Sequence, residues 1–171
     1  MESPRARLDV LFTAHAGAVF GFALRRTSRG EAEDIVSETF LIAWRRLDDV
    51  PDDPLPWLFG VARKVLANRR RGDRRQAALR SKLSSGQLRN VALVDDEREP
   101  DRVLSALAGL PSGERDAITL IAWEGLTPEE AAIALGCSRA ALYVRVHRAR
   151  RKLADLLSPR ALPDNSEVDR P

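Results

Sequence analysis

The chain has 171 residues, 44% apolar but only 5% aromatic, which leaves room for one domain or two small ones. A single cysteine, Cys137, excludes an internal disulfide, and no long apolar run or secretion-type leader stands out, so the expectation is a cytoplasmic protein with no membrane partner. The net charge of +3 is unevenly placed, with seven basic residues against one acid over residues 63–75 and six against none over residues 139–152.

Periodic apolar spacing is helical throughout, so the chain reads as all-α. A first helix is predicted over residues 4–26, with Leu8, Leu11, Phe12, His15, Val19, Phe22 and Ala23 on one face; His15 there reads as a packing residue. Thr27 to Gly30 form a turn. A second helix over residues 31–47 buries Ile35, Val36, Thr39, Phe40, Ala43 and Leu47, and its acidic start suits the positive end of a helix dipole. Three prolines in residues 48–56 make an exposed loop. A third helix follows to Arg75, with Leu58, Val61, Ala62, Val65 and Leu66 inward, and the three helices make one small bundle.

That third helix combines Trp57, Asn68 and a ladder of cations, Arg63, Lys64, Arg69, Arg70, Arg71, Arg74 and Arg75. Phosphates need cations, and unstacked bases need flat and amide surfaces, so the helix suits a displaced single strand. A solvated arginine face beside a packed tryptophan is the alternative, and the residues of this helix alone leave both open.

Residues 76–99 lose periodicity and carry the acidic run DDERE, as a flexible linker would, with partial helix allowed at its start. In the second unit, Val103, Leu104 and Leu107 mark a short helix ending at Gly109, and residues 114–124 a next one with Ile118, Ile121 and Ala122 inside, ended by Gly125. The stretch TPEEAAIALGCSRAALYVRVHRARRKL then reads as two helices and a tight turn. Thr127 and Glu130 form a capping box, Pro128 suits the first helical position, Gly136 the left-handed C-terminus, and Ser138 the next cap. Ala131, Ala132 and Leu135 face Leu142 and Val146, which is the pattern of a helix-turn-helix whose second helix enters a DNA major groove. Its first residues meet base edges, which names Ser138, Arg139, Ala140, Tyr143, Val144 and His147. Arg139 is the candidate for a bidentate guanine contact, and Arg145, Arg148, Arg150 and Arg151 hold phosphates. Cys137, in the turn, reads as a small half-buried residue. Residues 158–171 form a polar tail.

Catalysis has no motif to rest on. There is no phosphate-binding glycine loop, no HExxH and no zinc spacing, so neither an enzyme nor a cofactor nor a metal is expected.

Three blocks together resemble the extracytoplasmic-function (ECF, group IV) sigma factors of the sigma-70 family. AEDIVSETFLIAWRRL (residues 32–47) is similar to the family's region 2.2, PLPWLFGVARKVLANRRRGDRR (54–75) to regions 2.3 and 2.4, and the segment 110–153 to region 4. The resemblance implies two small helical domains, at residues 1–75 and 100–157, joined by the linker 76–99, and no catalysis by the chain itself. It implies that Asp34, Ser37, Glu38, Leu41 and Trp44 dock on the clamp helices of the largest subunit of core RNA polymerase, with the flap as a second contact. Promoter DNA would meet Trp57, Arg63, Lys64, Asn68, Arg70, Arg71 and Arg74 at its −10 element, and the second helix of the hairpin at its −35 element. An anti-sigma factor is a further implied partner. The chain departs from the family's usual residues at Ser37 (often glutamine), Lys64 (usually asparagine) and Tyr143 (often lysine or another polar residue). Lys64 offers only donors, so phosphate holding replaces base reading there. A helix-turn-helix regulator that binds duplex DNA without polymerase is the competing reading, but it has no use for the acidic helix, the proline-aspartate loop and the tryptophan-arginine helix together.

Overall fold

The computed structural model describes residues 3–83 and 99–158, and these form seven α-helices with no strand among the described residues. The first, α1 (Pro4–Leu24), starts where the Ser3 hydroxyl accepts the Ala6 N–H at 3.2 Å, and it buries Leu11, Val19, Phe22 and Ala23. Phe12, expected inside, is half-exposed and instead meets Phe40 edge-on at 4.8 Å. By length and composition alone, with a mean hydropathy of 1.3, α1 would also pass for a membrane-crossing helix, although it holds no unbroken apolar run. Its apolar side lies against α2 and α3.

The second helix, α2 (Arg29–Arg45), begins two residues earlier than the acidic start suggested, because Ser28 and Glu31 close a capping box. Leu47 is buried as expected, but from a single 3₁₀ turn, Leu47–Asp49, beyond the end of α2. The third, α3 (Leu55–Leu83), runs past Arg75, so the start of the expected linker is helical; the rest of the linker, residues 84–98, and the tail from residue 159 lie outside the described residues. Ile35, Val36, Thr39, Phe40 and Ala43 of α2 and Leu58, Val61, Ala62, Val65 and Leu66 of α3 are buried, as their spacing predicts.

The second unit comprises α4 (Glu99–Ala108), α5 (Ser112–Ala122), α6 (Pro128–Leu135) and α7 (Arg139–Leu157). In α5 the buried set is Glu114, Ala117, Thr119 and Leu120, while Ala122 is exposed. The face turned to α6 and α7 is therefore rotated from the one read off the isoleucines, both of which are half-buried. Ala131, Ala132, Leu135, Leu142 and Val146 are all buried, as a helix-turn-helix core requires.

The two units do not stand apart. One continuous apolar cluster runs from Leu11 in α1 to Val146 in α7, and α3 packs directly on α6. Gly60 eases this approach: a Cβ there would lie 3.0 Å from the Ala134 carbonyl oxygen, tighter than nine in ten such contacts. Phe22 and Phe59 stack at 5.2 Å just inside the same contact. Polar contacts close its rim. Glu124, 2% exposed, accepts from Arg26 at 2.9 Å and is paired with Arg25 as well. Arg26 also donates to Thr119 Oγ1 at 3.0 Å and lies over the Phe22 ring at 3.8 Å. Burial pushes the Arg26 guanidinium below its ordinary pKa, and Glu124 opposes that shift.

Candidate nucleic-acid interface

The hairpin geometry follows from its caps. The Thr127 hydroxyl accepts the Glu130 N–H at 3.3 Å, while the Glu130 carboxylate takes the Thr127 N–H at 2.7 Å. These hydrogen bonds, the backbone one first, hold the Glu130 carboxyl below the usual carboxylate range. Gly136 closes α6 in the left-handed region at φ 62°, where a Cβ would be strained, and Ser138 caps α7 by accepting the Ala141 N–H at 3.2 Å. The turn sends α7 across α6 with Leu142 and Val146 against the core. The opposite face is left to solvent, and Ser138, Arg139, Ala140, Tyr143, Val144 and His147 are exposed on it. Arg148, Arg150 and Arg151 are exposed too, and Arg145 is half-exposed. Cys137 is half-buried in the turn.

Arg139 is not idle in this arrangement. It pairs with Glu129 of α6 at 2.8 Å, and its pKa is held up by the Tyr143 side chain and then by Glu129. Arg139 is thus held across the mouth of the hairpin by a carboxylate of the neighbouring helix.

The −10 candidates divide into two stripes on α3. Lys64, Asn68 and Arg71 lie on an exposed face, where Arg71 donates to the Asn68 side-chain Oδ1, and Trp57 is packed half-buried against the core at the other end of it. Arg63, Arg70 and Arg74 turn toward the second unit, and Arg71, between the two stripes, borders the same cleft. Arg63 reaches the Leu135 carbonyl at 3.4 Å and Asp116 at 3.6 Å, leaving its buried Nε without a partner; Arg70 donates to the Arg26 carbonyl at 2.7 Å.

Helix α2 presents Asp34, Ser37, Leu41 and Trp44 outward, with Leu41 and Trp44 exposed at 47% and 43% and Glu38 half-buried. Two large apolar side chains thus stand open between polar ones on this face. Asp34 and Glu38 are already engaged by Arg69, at 3.0 and 3.1 Å, and these carboxylates, Asp34 first, raise the Arg69 pKa. Ser37 bonds back to the Glu33 carbonyl at 3.0 Å.

Sequence reading missed three of these features. The Ser28–Glu31 box was legible in the S-x-x-E spacing. The Arg139–Glu129 pair carries only a weak signal, opposite charges on either side of a turn. The Glu124 clasp carries none, because its arginines lie 98 and 99 residues away.

An acidic-apolar helix, a basic helix and a basic helix-turn-helix on one chain define a protein that bridges a protein partner and DNA. Comparison with known proteins gives this class a family. Sigma-70 region 2 matches residues 11–76, and Sigma-70, region 4 matches residues 101–153. RNA polymerase sigma factor NccH of Alcaligenes xylosoxydans xylosoxydans is 36% identical over 140 residues, covering 74% of this chain and 73% of its own. ECF RNA polymerase sigma factor SigL of Mycobacterium tuberculosis is 32% identical over 154 residues, covering 86% and 87%. The sigma factor RpoE of Bartonella quintana, solved with the anti-sigma factor NepR, superposes with a TM-score of 0.66 at 26% identity, over 87% of this chain and 95% of that one. The chain belongs to the ECF sigma factors of the sigma-70 family, and it directs promoter-specific transcription initiation by RNA polymerase. The region 2 match removes the alternative of a free-standing helix-turn-helix regulator.

Proposed function

We propose a division of labour among the residues of this sigma factor. The α2 face of Asp34, Ser37, Glu38, Leu41 and Trp44 docks on the clamp helices of core polymerase, and the second unit reaches the flap. Trp57, Lys64, Asn68 and Arg71, with Arg63, Arg70 and Arg74, engage the −10 element. In α7, Arg139 reads a base edge while Arg145, Arg148, Arg150 and Arg151 hold phosphates. The chain contributes recognition and strand opening rather than a reaction, and it acts in the cytoplasm. An anti-sigma factor is its proposed regulator, since the RpoE relative is bound to one.

The observation that carries this reading is the exposed face of α7, which is basic or neutral from Arg139 to Lys152 and backed by a capped helix-turn-helix. The closed packing adds a requirement. Two boxes named for positions 25 base pairs apart lie roughly 85 Å from each other along a duplex, whereas α3 and α6 are in contact at Gly60. The units must part for both boxes to be held. Purified chain added to sigma-free core polymerase should start transcripts at a fixed distance from two promoter boxes. Absence of initiation on every template carrying upstream regions of its own genome would overturn the reading.

A further inference from the structure

Between α3 and α5 lies a cleft of about 250 Å³ that exists only because the two units are packed together. Six arginines line it, Arg26, Arg63, Arg70, Arg71, Arg74 and Arg115, against one carboxylate, Asp116. Like charges gathered at this density repel one another, and in a partly enclosed space water screens them poorly. Hydrogen bonds to the protein use only part of their donor capacity: Arg70 is turned to a backbone carbonyl, and the buried Nε of Arg63 has no partner. Ser112, at the first turn of α5, lines the same cleft, and the cap residue there, Pro111, has no side chain to accept the free N–H groups of that turn. A second hollow of about 160 Å³ continues from the first, sharing Arg26, Arg70, Arg115 and Asp116 and adding the part-exposed face of Trp123.

We infer that this interdomain cleft binds a short polyphosphate chain, free or carried by a nucleoside. Guanidinium groups fit phosphate oxygens in paired hydrogen bonds, and a chain of linked phosphates matches a row of them where a single phosphate does not. The space is far too small for a duplex. Trp123 offers a flat surface to a base if the phosphates are nucleoside-linked. Because its arginines come from both units, the ligand binds the closed arrangement alone. On the proposed assignment of α3 to the −10 element, it also withholds Arg63, Arg70, Arg71 and Arg74 from promoter DNA.

Calorimetric titration of the full chain at fixed ionic strength tests this with sodium tripolyphosphate and with GTP. Saturable one-to-one binding of tripolyphosphate is expected, weakened about tenfold in Arg115→Ala, the loss of roughly one charge-assisted contact. It is also expected to weaken in Gly60→Val, which forces α3 from α6, and to be unchanged in Arg150→Ala on the far helix. Tighter binding of GTP, lost in Trp123→Ala, identifies a nucleoside-linked ligand; equal binding identifies the free chain, and either supports the cleft. Absence of saturation, or equal weakening in Arg115→Ala and Arg150→Ala, overturns it, since attraction to net charge alone would then suffice. No polymerase enters the assay, so its failure is distinct from a failure of the promoter assignments.

Discussion

The two basic helices carry similar charge and use it in opposite ways. On α7, Arg148, Arg150 and Arg151 stand in solvent, and the apolar residues beneath them make the hairpin core. On α3 the cations are drawn into the fold: Arg69 holds α2, Arg70 meets the end of α1, and Arg63 reaches the second unit. A surface helix whose charges point only outward is ready to bind before any rearrangement. One whose charges also hold the molecule together trades structural contacts for ligand contacts when it binds, so part of its binding energy goes into opening. On the proposed assignments, the difference teaches that the −35 reader is presented in the closed molecule, whereas −10 engagement is coupled to separation of the units.

The largest expected effect tests whether the units are energetically one body. Leu142 is fully buried in the cluster shared by both, so Leu142→Ala should cost about 2–5 kcal/mol. With a continuous core, urea unfolding should remain a single transition moved to lower denaturant. Two transitions, with only the second unit affected, would break the comparison by making the α3 bundle independent.

Next comes the clasp. Glu124→Gln leaves Arg26, only 10% exposed, without its anion, but Arg25 remains 41% exposed. The cost should be about 2 kcal/mol, below the roughly 3–5 kcal/mol of a fully buried pair because water still reaches one partner. If the clasp restrains α3, the variant should also bind −10 single-stranded DNA more tightly while its affinity for a −35 duplex stays unchanged. Equal gains on both DNAs would remove the distinction drawn between the helices.

How far such features could be read in advance depends on their range in sequence. The hairpin was legible to the residue, since Thr127, Glu130, Gly136 and Ser138 act within four positions of their partners. So was the inward face of α3, where Leu58, Val61, Ala62, Val65 and Leu66 repeat at helical spacing. The end of α3 was not: residues 76–79 are exposed and bury no apolar stripe that would have marked a helix. Interfaces were illegible for a different reason. Arg63 and Arg70 read equally well as phosphate ligands or as structural donors, and only the packing of α3, on α6 for Arg63 and beside the end of α1 for Arg70, shows that they serve the second role in the closed molecule.

Within α7, Arg139 and Arg150 should separate. Arg139→Ala removes the base reader and frees Glu129, so binding to the preferred −35 duplex should fall roughly ten- to a hundredfold with little loss on altered sequences. Arg150→Ala should weaken all duplexes alike and lower the salt slope by about one. Competition assays across a panel of −35 variants at two salt concentrations decide the matter. A sequence-independent loss in both variants would assign Arg139 to the backbone.

The smallest expected effect lies at the start of α6, where the α7 reading face is set by a cap. Glu130 is still reached by water, so its contribution is screened and modest. Its carboxyl is held below the ordinary range by the Thr127 N–H and hydroxyl, so the stabilisation is present above the unfolded-state value and disappears as pH falls through the folded one. Glu130→Gln keeps a hydrogen-bonding side chain of the same reach and removes the charge. Thermal melts of the two proteins should therefore differ at neutral pH and converge in acid, below the ordinary carboxylate range. A gap that persists undiminished in acid would mean the side chain acts by shape alone, and the hairpin would owe its geometry to Gly136 and Ser138.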